Sequence, residues 1–199
     1  MRYMTIEVGS FQVNASIVHD GETACIIDPG GEAGRIADIL ASKNLKLEKV
    51  LLTHAHFDHI GAVAELEAAF PGLGVFVPPG DIAVYTHPMN QYPPDYPPRP
   101  LPENLLSAPE VEGMETIPVP GHTPGGVAYY FPAEKVLFSG DTLFAGSVGR
   151  TDLPGGDMAA LMKSLSSLKA LPDDTVVVPG HGRATTIGEE KAINPFLKI

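Results

Sequence analysis

One short stretch restricts this chain more than any other: His54-Ala55-His56-Phe57-Asp58-His59, set directly behind the apolar run Val50-Leu51-Leu52. In an extended segment residues i and i+2 point the same way, so His54 and His56 at the end of a strand can grip one ion. Asp58 and His59 lie beyond, where the chain turns into a helix starting near Ile60, and that turn redirects them toward a neighbouring position. At the chain's own His and Asp frequencies an H-x-H-x-D-H run arises by chance in 199 residues with a probability of roughly five in ten thousand. The fold must therefore deliver a strand, a ligand-bearing turn and a helix in that order.

Other strand ends supply matching groups. His122 and His181 each follow a strand-like run through a Pro-Gly turn, and the run KVLFSG ends in Asp141. Functional groups on loops held by a rigid scaffold are a common way of building a site. Divalent zinc prefers about four ligands, so seven candidates suit two ions better than one. The natural partition gives His54, His56 and His122 to the first and Asp58, His59 and His181 to the second, with Asp141 bridging. Imidazole and carboxylate donors without thiolate suit zinc, iron or manganese, and softness alone does not choose among them; two zinc ions are the expectation, with iron or manganese as alternatives. His19 and His87 have no such context and read as ordinary surface or core residues.

Strand-like runs fall at 4–8, 11–18, 23–28, 49–53, 74–77, 115–119, 127–131, 135–139 and 175–178. Helical periodicity falls at 31–43, 60–70 and 157–170, which makes the chain mixed α/β. Half of the 20 prolines lie between Pro78 and Pro109. That segment is neither an ordinary helix nor a central strand. It reads as a stiff surface excursion bridging two parts of the sheet, or else as a lip offering Tyr85, Tyr92 and Tyr96 to a cleft. Val119-Pro120-Gly121-His122 recurs as Val178-Pro179-Gly180-His181, an echo that suggests a duplicated β-rich half.

With 44% hydrophobic residues and no long linker, residues 1–199 are expected to form one domain. The formal charge of −11 and the lack of a basic stripe argue against nucleic acid as a partner. No window reaches the roughly 18 apolar residues of a membrane span, and the N-terminal stretch has no basic-then-apolar leader, so a cytoplasmic location is expected. The single cysteine, Cys25, lies in the apolar run TACIID and reads as a core residue.

H-x-H-x-D-H followed by separated His, Asp and His resembles the metallo-β-lactamase superfamily, and all seven positions match. THAHFDHIG, PGHTPGGVAYY, FSGDTLFAGSVGRTD, VVPGHGRATTIGEE and the terminal NPF are similar to glyoxalase II-like hydrolases, especially the short bacterial forms. The resemblance implies a four-layer αββα sandwich, a binuclear site at one edge of the two sheets, and hydrolysis of a small-molecule thioester such as an S-acylglutathione. Arg150 falls where those enzymes keep a basic residue for glutathione, whereas the Tyr of the family two places later is Asp152 here. The helical domain that full-length glyoxalase II carries after this region is not expected in this chain.

A water held between two dications loses its proton near neutral pH, since one zinc lowers a bound water from pKa 15.7 to about 7. Asp58 is expected to accept a hydrogen bond from that water and orient it while also binding the second ion. A thiolate of pKa about 8.5 then leaves with little need for protonation. GRTD also resembles sulfur dioxygenases, which use a single iron on the equivalents of His54, His122 and Asp141. That oxidative reading is the alternative, followed by a non-catalytic metal-binding module.

Overall fold

Period-two alternation sorts the strand side chains into layers. In the computed structural model, which describes residues 1–198, β1 (Arg2–Val8), β2 (Val13–His19), β3 (Thr23–Ile27), β4 (Lys46–Leu51) and β5 (Gly74–Phe76) pair in chain order as one sheet. A second sheet contains β6 (Glu115–Pro118), β7 (Val127–Phe131) and β8 (Val136–Gly140). Beside it β9 (Leu143–Phe144) and β10 (Ser147–Val148) form a ribbon, and β11 (Val176–Pro179) and β12 (Thr185–Thr186) complete the order β12-β11-β8-β7-β6. Successive strand side chains point to opposite faces. Thus Val127, Tyr129 and Phe131 of β7 pack with Cys25 and Ile27 of β3 between the sheets, while Ala128 and Tyr130 turn away to the far face.

Helices close both outer faces. Helix α1 (Ala33–Ser42) buries Ile36 and Leu40 and α2 (Val63–Ala69) buries Val63 and Leu66 against the first sheet. Short α3 (Ile82–Tyr85) adds Tyr85 to the same layer. Helix α4 (Met158–Lys169) sets Leu161, Leu165 and Leu168 on the second sheet beside Ile187 of α5 (Ile187–Ile193). Three apolar layers therefore separate four layers of structure, the αββα sandwich. Each buried Leu, Ile or Val adds about 1.5–3 kcal/mol over its exposed state. Asp157 caps α4 by accepting from Ala159 and Ala160 N–H, and Thr186 caps α5 through Glu189 N–H. Such caps stabilise by about 1 kcal/mol each.

Strand direction sets where function can sit. β3, β4 and β5 run parallel, as do β8 and β11, and β6 shares their direction because each is antiparallel to β7 or parallel to its neighbour. Carboxyl ends of parallel strands are where open sheets gather ligands.

Several expectations shift. The strand expected at 49–53 runs Lys46–Leu51, which frees Thr53 and His54 from the ladder, and the helix expected from Ile60 begins at Val63. The Val-Pro-Gly-His echo is not a duplicated half: β6 and β11, which precede its two copies, lie in one sheet. The Pro-rich segment does bridge the sheets, returning through a Val75–Leu105 pairing at the edge of the first before β6 begins the second. Its opening half also walls the ligand loops.

Candidate metal centre

All seven expected ligands converge at this edge. His54, His56 and His122 offer nitrogens within 4.8 Å of one another, and Asp58, His59 and His181 form a second such group. Asp141, at the end of β8, lies between them. Its Oδ1 is 3.4 Å from His59 Nε2, and its Oδ2 is 3.6 Å from both His122 Nε2 and His181 Nε2. His181 Nε2 also sits 3.3 Å from Asp58 Oδ2. A Cβ on Gly180 would stand 2.1 Å from Asp141 Oδ1 and 2.8 Å from the His59 ring, so only glycine lets this carboxylate and imidazole approach.

The outer nitrogen of most rings is already spoken for. His122 Nδ1 is 2.7 Å from the Arg150 carbonyl, and His181 Nδ1 is 2.9 Å from that of Phe11. Each ring N–H donates outward, which turns a bare Nε2 inward. His54 Nδ1 is 3.1 Å from Thr53 Oγ1. His59 Nδ1 is 3.0 Å from Asp28 Oδ2, off the line of the ring N–H, so that contact is electrostatic rather than a well-aligned hydrogen bond.

What remains inside is a set of donors without partners. His54 Nε2, His59 Nε2 and Asp141 Oδ1 are buried and make no hydrogen bond. Orphaned buried polar atoms cost about 1–3 kcal/mol each, so convergence of three calls for an occupant. His56 Nδ1 and His122 Nε2 are 2.9 Å apart. Two imidazole nitrogens on one tetrahedral zinc would stand about 3.3 Å apart, close to what is seen. Divalent metal fits this donor set.

Electrostatics divide the two groups. Burial, reinforced by the neighbouring imidazoles, holds His54 well below the usual histidine range and His56 at about 4. Burial also acts to lower His59, but the carboxylates of Asp141, Asp28 and Asp58 outweigh it and hold this ring well above its ordinary value. Asp141 and Asp58 are lowered despite their burial, because His59 and His181 favour the carboxylate form.

Three supporting residues escaped the sequence reading. Asp28, in the left-handed region at φ 50°, ends β3 and accepts from Thr53 N at 2.7 Å and Thr53 Oγ1 at 2.6 Å while facing His59. Its signal was present, since Ile27-Asp28-Pro29-Gly30 is another strand end carrying a carboxylate into a turn. Asp81 accepts from Ala55 N and Gly125 N, tying the His54–His59 loop to the one after His122. Asn90 accepts from Phe57 N and donates to the Ala55 carbonyl. Both fix the ligand loop's backbone from the Pro-rich segment. Arg150 projects outward with its guanidinium forked onto Asp152 at 2.7 Å through two nitrogens, while its carbonyl orients His122.

Residues 8–181 match the family model described as the metallo-beta-lactamase superfamily. The chain is 38% identical to hydroxyacylglutathione hydrolase GloC of Haemophilus influenzae, covering 99% of this chain and 98% of that protein. The crystal structure of TTHA1623 in a di-iron-bound form is similar at a TM-score of 0.86 and 42% identity, covering 98% of this chain and 100% of that one. That of BLEG-1 B3 metallo-beta-lactamase is similar at a TM-score of 0.83 and 36% identity over 100% of both chains.

Proposed function

The chain belongs to the metallo-β-lactamase superfamily, and from that premise we propose that it is a two-metal hydrolase that cleaves a thioester of the S-acylglutathione class. One observation carries the proposal: Asp141 lies between two donor groups, and His54 Nε2, His59 Nε2 and Asp141 Oδ1 are buried there without a hydrogen-bond partner. His54, His56 and His122 would hold one ion and Asp58, His59 and His181 the other, with Asp141 common to both. Divalent ions there would bring a water's pKa toward neutrality and polarise the substrate carbonyl.

The chain's own groups do the rest. Asp58, largely buried and held beside His181, accepts a hydrogen bond from the attacking water and aligns its lone pair with the carbonyl carbon. Asn90 and Asp81 keep the loop that bears Asp58 from moving as charge develops. Water and thioester give a carboxylic acid and a thiol, so no oxidant is consumed. A thiolate of pKa about 8.5 departs without a proton donor, whereas an amine leaving a lactam needs one. Leaving-group chemistry therefore favours the thioester over the lactam that the name of the BLEG-1 neighbour suggests. The name of the Haemophilus relative supports glutathione as the thiol. Zinc is the expected ion, and the di-iron form of TTHA1623 makes iron the alternative.

Metal quantification on purified protein, paired with S-D-lactoylglutathione hydrolysis, tests this. Near two metals per chain is expected, with turnover that a chelator removes and added metal restores. A single iron with oxygen uptake on glutathione persulfide would establish the dioxygenase instead. Lactam turnover without thioester turnover, or a metal-loaded protein inert to both, would also overturn the proposal.

A further inference from the structure

Beside the first donor group lies a cavity of 280 Å³ whose wall includes His56. Phe57 and Pro124 of the ligand loops line it, and the rest of its apolar wall comes from Ala83, Val84 and Met89 of the Pro-rich segment and from Leu153 and Pro154 of the loop beyond Arg150. No charged side chain lines it. Of its polar side chains, His56 belongs to the metal centre. Asn90 is spent on Phe57 N, 2.8 Å from its Oδ1, and on the Ala55 carbonyl, 2.7 Å from its Nδ2. His87 is different. Its Nδ1 accepts from Met89 N–H at 3.1 Å, which places the proton of the neutral ring on Nε2. Among the described residues that donor has no protein partner.

We infer that this cavity receives the acyl group of the thioester, that the preferred acyl group is apolar and several carbons long, and that His87 binds an oxygen carried on it. The inference rests on the thioesterase activity proposed above. A thioester carbonyl held at the metal centre has two substituents within a bond or two, and the space next to His56 is within reach of the acyl chain and of the thiol. Glutathione carries two carboxylates, an ammonium and two amides. Moving those from water into an uncharged apolar cavity without partners is costly, several kcal/mol for an amide alone. An alkyl chain gains by the same transfer. The volume is at the lower edge of the roughly 300–1,000 Å³ typical of ligand pockets, which suits one short chain rather than a whole carrier. A lactoyl group would leave most of it to water.

The test uses metal-replete protein and the S-acetyl, S-butanoyl and S-hexanoyl thioesters of glutathione. Specificity constants should rise about fourfold per added methylene until the cavity is full. Ala83→Trp, on the exposed face of a short helix, should fill the cavity and lower the hexanoyl-to-acetyl ratio at least tenfold. Leu153→Ala should move the optimum to longer chains, which guards against a folding defect in the first variant. His87→Phe should lose threefold to tenfold in preference for a 4-oxoacyl over the plain chain of equal length. A parallel series holds the acyl group constant and varies the thiol. Rates flat with acyl length, or variants that alter thiol preference instead, overturn the acyl assignment alone. Absence of turnover throughout the series overturns the assignment together with the activity it rests on.

Discussion

The two donor groups share Asp141 and differ in what surrounds them. His54, His56 and His122 form an all-imidazole set in which burial drives His54 and His56 toward the neutral form. Around His59 the carboxylates of Asp141, Asp28 and Asp58 instead hold a proton in place against burial. The first position is thus preset with neutral ligands and gives up no proton from His54 or His56 when an ion enters. The second keeps a positive charge of its own until an ion displaces the proton, and its anionic surroundings then attract that ion more strongly. One shared carboxylate joins two sites of opposite electrostatic character.

The largest effect should come from breaking what they share. Asp141→Asn is expected to cut thioester turnover on the order of a thousandfold and to bring metal content to one per chain or fewer, read by elemental analysis beside the rate. Retention of two ions at full occupancy would mean that Asp141 does not join the sites.

Acid unfolding of the metal-free protein sharpens the contrast. His56 has a folded pKa lowered from 6.5 to about 4, so the unfolded chain binds this proton first. Its contribution is present above pH 6.5 and lost as pH falls toward 4, on the order of 3 kcal/mol in all. His59, raised, has the opposite sign: its contribution is present below 6.5 and lost as pH rises. Urea midpoints should therefore rise less steeply from pH 4 to 6.5 in His56→Gln than in the parent, and fall less steeply above pH 6.5 in His59→Gln. Equal slopes in all three proteins would dissolve the distinction.

Asp28→Ala should weaken the second position about 10-fold to 100-fold, through His59, and the first position less, through Thr53 and His54, in a two-phase metal titration. A matching loss at both positions would show that Asp28 supports the loop as a whole rather than His59.

The clustering of His54, His56, Asp58 and His59 was legible because their spacing is local: closely spaced donors just past a strand, followed by a turn, need no knowledge of the rest. His122, Asp141 and His181 were legible because each repeats the strand-end context. Asp81 and Asn90 were not, since their partners are backbone groups of loops reached only through the fold. Two-residue strands such as β9, β10 and β12 are too short for any periodicity. Helix α5 did carry a signal in Thr186 and Glu189, a cap residue followed three positions later by an acid. His87 was set aside for want of sequence context, and only the folded Pro-rich segment brings it to a cavity that His56 also lines.

The hydrogen bond from His181 Nδ1 to the Phe11 carbonyl closes a gap of 170 residues. Around it Val13 pairs with His181, Asn14 N–H donates to the Gly180 carbonyl, and the Asn14 amide reaches the Pro179 and Gly182 carbonyls. A ribosome releases the β1–β2 hairpin long before it makes that partner, so this contact must wait for nearly the whole chain. His54, His56 and His122 all precede His181 in the chain, whereas the group that includes His181 stays open until this seam is sewn. The carboxylate-rich group is therefore completed only when the first hairpin meets the loop that follows β11.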